Sequence, residues 1–315
     1  MISLKKVVED ELGAAMVRKR RVQELWAGYG EIVRVDLADD RSVVVKAIAP
    51  PPGDGSASHG RKLRSYAVEE AFYRSYARRL DGKCRVAELL AARHDDGDRF
   101  LFLEDLDVAG YSGRRSAYFK TIDEVQPLVK WLAMFHKTFM ATPAPDLWPR
   151  GTYWHLATRA EELGRMKDSD PLRRFAGAID DCLGRAKHRT LVHGDAKLAN
   201  FCFAQDDVAA VDFQYVGGGV GVQDLAYLLG SCLTEKNLDA WSDDLLTFYF
   251  RHLDQGPDVE REWRSLWPFC FADFERFLAG WSPGHWKRNG YTKRMCDDAV
   301  HTLTFLTSRT KAPTS

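Results

Sequence analysis

Three oxygen-bearing side chains, Asp195, Asn200 and Asp212, stand close together in the stretch LVHGDAKLANFCFAQDDVAAVDFQ at positions 191–214. Two carboxylates and an amide suit a magnesium–phosphate site, because Mg²⁺ takes a few hard oxygen ligands and leaves the rest of its octahedron to phosphates and water. Such donors must be held by rigid elements, and the surrounding pattern supplies two. Leu191 and Val192 form an apolar strand running into His193-Gly194-Asp195; a tight loop continues to Asn200. An apolar hairpin then returns through Val208-Ala209-Ala210-Val211 to Asp212. Asp and Asn are also common turn residues, so the residue types alone decide little. Their spacing at the ends of two apolar segments is what points to a site.

A candidate cation lies upstream. Lys46 interrupts the run Val43-Val44-Val45-Lys46-Ala47-Ile48, and on a buried strand face an unpaired ammonium is costly; on an edge face it would be solvated. This strand closes a three-stranded antiparallel meander read from β-branched runs at Val22–Trp26, Ile32–Leu37 and Val43–Ile48. Gly28 and Gly30, in the first turn, either make a plain hairpin or let backbone amides approach anionic oxygens. Ahead of the meander, Leu4, Val7, Val8, Leu12, Ala15 and Met16 fit a helix over 3–19. After it come a Pro/Gly/Ser-rich loop over 50–62, a helix over 65–80 bearing Glu69 and Glu70, and strands at 85–92 and 100–103. Beyond residue 106 helical spacing dominates. It includes a core helix 125–139 with His136, an aromatic and basic cluster Tyr153–Arg159, a helix over 171–187, a flexible glycine link at 217–221 and a helix opened by Asp224. His136 and Asp224 read as architectural, and the final Lys-Ala-Pro-Thr-Ser as a frayed end.

The run His193-Gly194-Asp195, then Asn200, then a strand ending in Asp212-Phe213-Gln214, resembles the catalytic and metal-binding loops of kinase-like phosphotransferases. It is most similar to the small-molecule branch of aminoglycoside phosphotransferases and choline kinases, with the ecdysteroid kinase-like family nearest. Val45-Lys46-Ala47-Ile48 resembles the strand that carries the phosphate-binding lysine. Glu69-Glu70-Ala71-Phe72-Tyr73 resembles that family's Glu-x-x-Phe-Tyr, and Leu103-Glu104-Asp105-Leu106 its Leu-Glu-Asp-Leu hinge. The resemblance implies an α+β, protein-kinase-like two-lobe fold: a nucleotide-binding lobe over 1–105, with an antiparallel sheet plus helix, and a mainly helical catalytic and acceptor-binding lobe over 106–315.

It also implies ATP and Mg²⁺ as cofactors and a role for each residue. Asp195 accepts the acceptor hydroxyl's proton, and Lys197 either reaches the γ-phosphate or is a solvated loop lysine. Asn200 and Asp212 bind metal. Lys46 meets the phosphates, with Glu69 as its partner and Glu70 as the runner-up. Gly28 and Gly30 close over phosphates, and the Glu104 carbonyl and Leu106 amide read adenine. His193 braces the loop. The missing activation segment and the Gly194 in place of an arginine argue against a protein substrate; a catalytically silent nucleotide-binding regulator is the alternative from another class. No Walker A loop is present.

Composition narrows the partners. With 315 residues, 45 basic against 45 acidic, nothing favours nucleic acid or polyanions. Six cysteines without CxxC or metal spacing read as buried free thiols. No apolar run approaches the roughly 18 residues of a membrane span, and the charged start MISLKKVVEDEL is unlike a secretory signal. A cytoplasmic protein without membrane or nucleic-acid partners is expected. The aromatic helices of 230–315 suit an apolar or aromatic small-molecule alcohol. A polar, aminoglycoside- or choline-type acceptor would want an acidic wall, and Arg251, Arg261, Arg264 and Arg276 dilute the Asp273 and Glu275 that could form one.

Overall fold

The computed structural model describes residues 3–116 and 118–310; the Lys-Ala-Pro-Thr-Ser end read above as frayed lies outside them. The chain divides into two compact units. The first runs to Arg114 and takes in Cys202–Asp212. Its elements are α1 (Leu4–Leu12), β1 (Met16–Glu24), β2 (Gly30–Leu37), β3 (Ser42–Ile48), α2 (Ala57–Ser75), β4 (Arg85–Val86), β5 (Leu89–Asp95) and β6 (Asp98–Glu104). A five-stranded antiparallel sheet runs β1-β2-β3-β6-β5. Strand alternation sends Val33, Val35, Val43, Val45, Phe100 and Phe102 to one face, where they bury Val7 and Val8 of α1. On the other face Ile48 packs with Leu25, Tyr29 and Tyr66. Lys46, two residues earlier, opens onto that same face.

Several expected boundaries move. The first helix stops at Leu12 because Gly13, with φ +68, provides a left-handed cap. Residues 16–24, partly assigned to that helix, form β1 instead, an edge strand whose Arg18-Lys19-Arg20-Arg21 discourages further pairing. The 50–62 loop is shorter than expected, since the Ser56 hydroxyl accepts the His59 N–H at 3.1 Å and starts α2 at Ala57. The strand expected over 85–92 is two strands, because β4 leaves the large sheet while β5 pairs with β6.

The second unit comprises Arg115–Phe201 and the residues from Phe213 onward. It begins with α3 (Gln126–Thr138), α4 (Ala160–Arg165), α5 (Pro171–Arg174), α6 (Ala176–Gly184) and β7 (Thr190–Val192). The helix expected over 171–187 is therefore broken at Phe175. The chain then makes the hairpin strands β8 (Phe201–Phe203) and β9 (Val208–Ala210), and β9 pairs in parallel with β4 through Arg85–Ala209 and Val86–Ala210. That pairing is why the hairpin folds with the first unit although it lies inside the expected 106–315 lobe. Next come β10 (Gly217–Gly219), α7 (Val222–Cys232), α8 (Glu235–Leu253), α9 (Pro257–Trp281) and α10 (Gly290–Thr310). The long α9 packs against α4, α6, α7 and α10, and α3 against α8.

The expected flexible link at 217–221 is a correction: Gly217–Gly219 form β10, antiparallel to β7. The glycines are there for close approach, since a Cβ on Gly217 would overlap the Trp148 carbonyl oxygen. The six cysteines form no disulfide, and all but the partly exposed Cys182 are buried. No described helix is long and apolar enough to cross a membrane.

Candidate functional site

In the first unit, the strand alternation that turns Lys46 toward α2 brings it to Glu69: Nζ donates to Glu69 Oε2 at 2.7 Å and lies 3.3 Å from Asp212 Oδ1. Burial works against the ammonium, but Glu69 and then Asp212 outweigh it, and the Lys46 pKa is raised. Glu70 faces elsewhere, taking Arg74 at 2.8 Å, His94 at 2.6 Å and Arg99 at 3.0 Å. The choice left open in the sequence therefore falls to Glu69. Asp212 ends the segment after β9 with φ +70, a strained conformation for a non-glycine residue. Such strain persists where surroundings over-determine it, and it concentrates at functional sites.

Gly28 and Gly30 also have positive φ, +74 and +126. A Cβ at Gly30 would overlap the Ala47 carbonyl oxygen, whereas Gly28 faces open space. Gly30 thus has a structural reason to be glycine, and Gly28 has a conformational one only. Glu104 ends β6; its carboxylate pairs with Arg85 and accepts the Glu88 N–H at 3.1 Å. The Leu106 carbonyl accepts the Tyr111 N–H at 2.8 Å, and its side chain is buried.

In the second unit, β7 delivers the His193-Gly194-Asp195 turn. Gly194 has φ +81, and a Cβ there would overlap the Tyr215 carbonyl oxygen. The turn is held by Asp224, in the first turn of α7, whose buried carboxylate accepts the His193 N–H at 2.5 Å and the Gly194 N–H at 3.0 Å. His136 binds that same carboxylate at 3.1 Å and the Tyr249 hydroxyl at 2.8 Å, so both residues are architectural, as expected. His193 Nδ1 accepts the Asp195 N–H at 3.2 Å, the expected brace.

Asp195 is the focus of this unit, its side chain only 8% exposed. Oδ2 accepts from Lys197 Nζ at 2.8 Å and from Asn200 Nδ2 at 3.1 Å; Oδ1 accepts from the Tyr227 hydroxyl at 3.1 Å. Asn200 Nδ2 also donates to the Asp195 carbonyl at 2.8 Å. Both donor hydrogens of that amide are engaged, which leaves its oxygen, the hard donor a cation takes. Asn200 in the second unit and Asp212 in the first each carry an oxygen of the kind a hard cation takes, while no cluster of three or more His, Cys, Asp or Glu side chains suited to a metal occurs among the described residues.

The model of the phosphotransferase enzyme family (APH) matches residues 21–263. The chain belongs to the phosphotransferase enzyme family. No curated protein matches it. Solved structures share its α+β, kinase-like fold. A Thermobifida fusca protein assigned as a fructosamine-3-kinase is 18% identical, over 95% of this chain and 97% of that one, at a TM-score of 0.57. A microcompartment-associated aminopropanol kinase is 14% identical over 93% of each chain, at 0.56. A macrolide 2′-phosphotransferase from Brachybacterium faecium is 16% identical over 90% and 98%, at 0.55. Family membership bears out the expectation of a small-molecule phosphotransferase.

Other residues around Asp195 in this phosphotransferase are poorly legible in sequence. Tyr227 is one: three positions after Asp224 on α7, it lies on the same helix face, so the residue that holds the turn could have pointed to it. Burial and then Asp195 push its phenol well above the ordinary value, keeping it a neutral donor. Tyr153, from the aromatic and basic cluster, packs edge-on against Tyr227 and Phe277, with its hydroxyl 3.3 Å from that of Tyr227. Lys287 carries no local motif at all; it lies over the Tyr227 ring at 4.3 Å. Asp273 and Glu275 make no acidic wall: Asp273 pairs with Arg276 at 2.8 Å and Glu275 with Arg288 at 2.6 Å.

Proposed function

We propose that this phosphotransferase is an ATP- and Mg²⁺-dependent kinase that moves the γ-phosphate of ATP to a hydroxyl of a small molecule, with Asp195 as the base. The observation that carries the proposal is the way Asp195 is held: three donors and a clamped turn fix a carboxylate in one orientation, as a group that orients a hydroxyl and takes its proton must be. Phosphoryl transfer asks little covalent work of a protein and depends on positioning and charge. Lys46, held extended by Glu69, is the proposed phosphate contact, and Lys197 a second one. Gly28, Gly30, Glu104 and Leu106 are the proposed nucleotide contacts, and Asn200 and Asp212 the proposed metal ligands. Magnesium, when bound, supplies positive charge against the phosphates. The Leu-Glu-Asp-Leu and Asp-Phe-Gln segments favour the ecdysteroid kinase-like branch within the family, and the six free cysteines favour a reducing, cytoplasmic setting.

The test is a screen with radiolabelled ATP against sterols, amino alcohols, aminoglycosides and sugars. Mg²⁺-dependent transfer to at least one alcohol is expected, and Asp195→Asn should lower kcat by about 10²- to 10⁴-fold while ATP binding persists. ATP binding without turnover across the panel would instead indicate a silent regulator. An unchanged rate in Asp195→Asn would remove the base assignment.

A further inference from the structure

Lys287 is 8% exposed, yet among the described residues its ammonium makes no hydrogen bond or ion pair. It is held by aromatic faces alone, Tyr227 at 4.3 Å, Phe274 at 5.4 Å and Trp286 at 5.6 Å. Its nitrogen is not among the unpartnered polar atoms fully sealed from solvent in the described residues. Asp195 is engaged by Lys197, Asn200 and Tyr227, and the acids flanking Phe274 are paired too, Asp273 with Arg276 and Glu275 with Arg288. The surplus charge beside Asp195 is therefore one ammonium. Cation–π contact offsets part of its desolvation, but an oxyanion would satisfy it far better.

We infer that Lys287 binds an anionic group of the acceptor, so that the substrate is an alcohol carrying a carboxylate or phosphate on an apolar or aromatic body. This rests on the kinase reading above. Tyr227 links the two ends, its ring against Lys287 and its hydroxyl on Asp195. A single small molecule can thus place its anion at the lysine and its hydroxyl at the carboxylate. The aromatic surfaces of Phe274 and Trp286 suit an apolar body between them. A polycationic acceptor would meet like charge at Lys287 and find no unpaired carboxylate to compensate. Burial lowers the Lys287 pKa to about 8, opposed by Asp195 and reinforced by Lys197, and at neutral pH the side chain remains mostly cationic.

The experiment is calorimetric binding of four matched probes to the full chain: benzyl alcohol, 4-(hydroxymethyl)benzoate, 4-(hydroxymethyl)phenyl phosphate and 4-(hydroxymethyl)benzylamine. Phosphorylation of each with Mg²⁺ and ATP is measured in parallel. At least one anionic probe should bind about tenfold or more tighter than the neutral alcohol, with the amine weakest, and the better anion identifies the group. Lys287→Met should erase that ranking and Lys287→Arg should keep it. Failure of both anions to bind more tightly than the neutral alcohol, or the same ranking in Lys287→Met, overturns the inference. Equal loss of all four probes in Lys287→Met does so too, because it marks a purely structural role. Should Lys287→Met not fold, the wild-type ranking and Lys287→Arg decide. Anion-selective binding without any phosphorylation would sink the kinase reading and leave the Lys287 assignment standing. Phosphorylation with no anion preference would do the reverse.

Discussion

Lys46 and Glu69 form a buried pair, and removing one partner of such a pair leaves an uncompensated charge, typically at a loss of about 3–5 kcal/mol. Lys46→Met, which strips the buried Glu69 of its cation, should destabilise by that order; Glu69→Leu should cost less, because Asp212 stays 3.3 Å from the ammonium; and the double variant should lose less than the sum of the two. Urea melts of the three proteins check this, and additive losses would mean the pair is not coupled. Lys287 predicts the opposite sign. The folded protein holds it near 8 against the ordinary 10.5, with Asp195, Lys197 and Cys232 as the charged or titratable neighbours. Between those values the unfolded chain binds more protons, so stability rises with pH through that window. Lys287→Met should therefore stabilise the protein at pH 7 by about 3 kcal/mol, and the gain should shrink as pH approaches 10.5. A stability difference that stays flat from pH 7 to pH 10 would refute the burial argument. A lysine that weakens the fold is understandable where a ligand supplies its counter-charge.

At the scale of elements, the sequence was readable where one period dominated and misleading where two fitted. Val33, Val35, Val43 and Val45 alternate cleanly, so β2 and β3 lie where expected. Ala15 and Met16 fit the helical spacing of α1 as well as strand alternation, and the deciding signal was Gly13, whose left-handed φ ends the helix. Composition also misled at Gly217–Gly219, where glycine signals crowding rather than freedom. The Gly28–Gly30 turn separates these two uses of glycine. Gly30→Ala must push against β3 and should lose several kcal/mol of stability. Gly28→Ala meets nothing and should lose only about 1–2 kcal/mol through its positive φ. If the turn binds phosphates, Gly28→Ala should raise the KM for ATP beyond what its melting change explains. An unaltered KM would leave Gly28 as a plain turn residue.

Over the whole molecule, the order of motifs made the family legible, because Lys46, Glu69, Asp195, Asn200 and Asp212 occur in sequence with recognisable neighbours. The proposed acceptor side was not legible: Tyr153, Tyr227, Phe274 and Lys287 come from four separate segments, and only tertiary packing gathers them. The same gathering explains why 202–212 folds with the first unit. Val208, Ala209 and Ala210 are buried, Phe203 and Gly113 exchange two backbone hydrogen bonds at 2.9 Å, Tyr111 donates to Asp207 at 2.8 Å, and Asp212 reaches Lys46. A fragment ending at residue 114 would leave β4 without its partner and Lys46 with one of its two acids missing. Expressed alone, residues 1–114 should melt broadly and at low temperature by circular dichroism. Adding 202–212 through a flexible Gly/Ser linker should restore a cooperative transition, since a short linker gives the hairpin a millimolar effective concentration at β4. Should the two fragments melt alike, the hairpin would be a passenger on the first unit and its contacts with β4 would contribute nothing to that unit's stability.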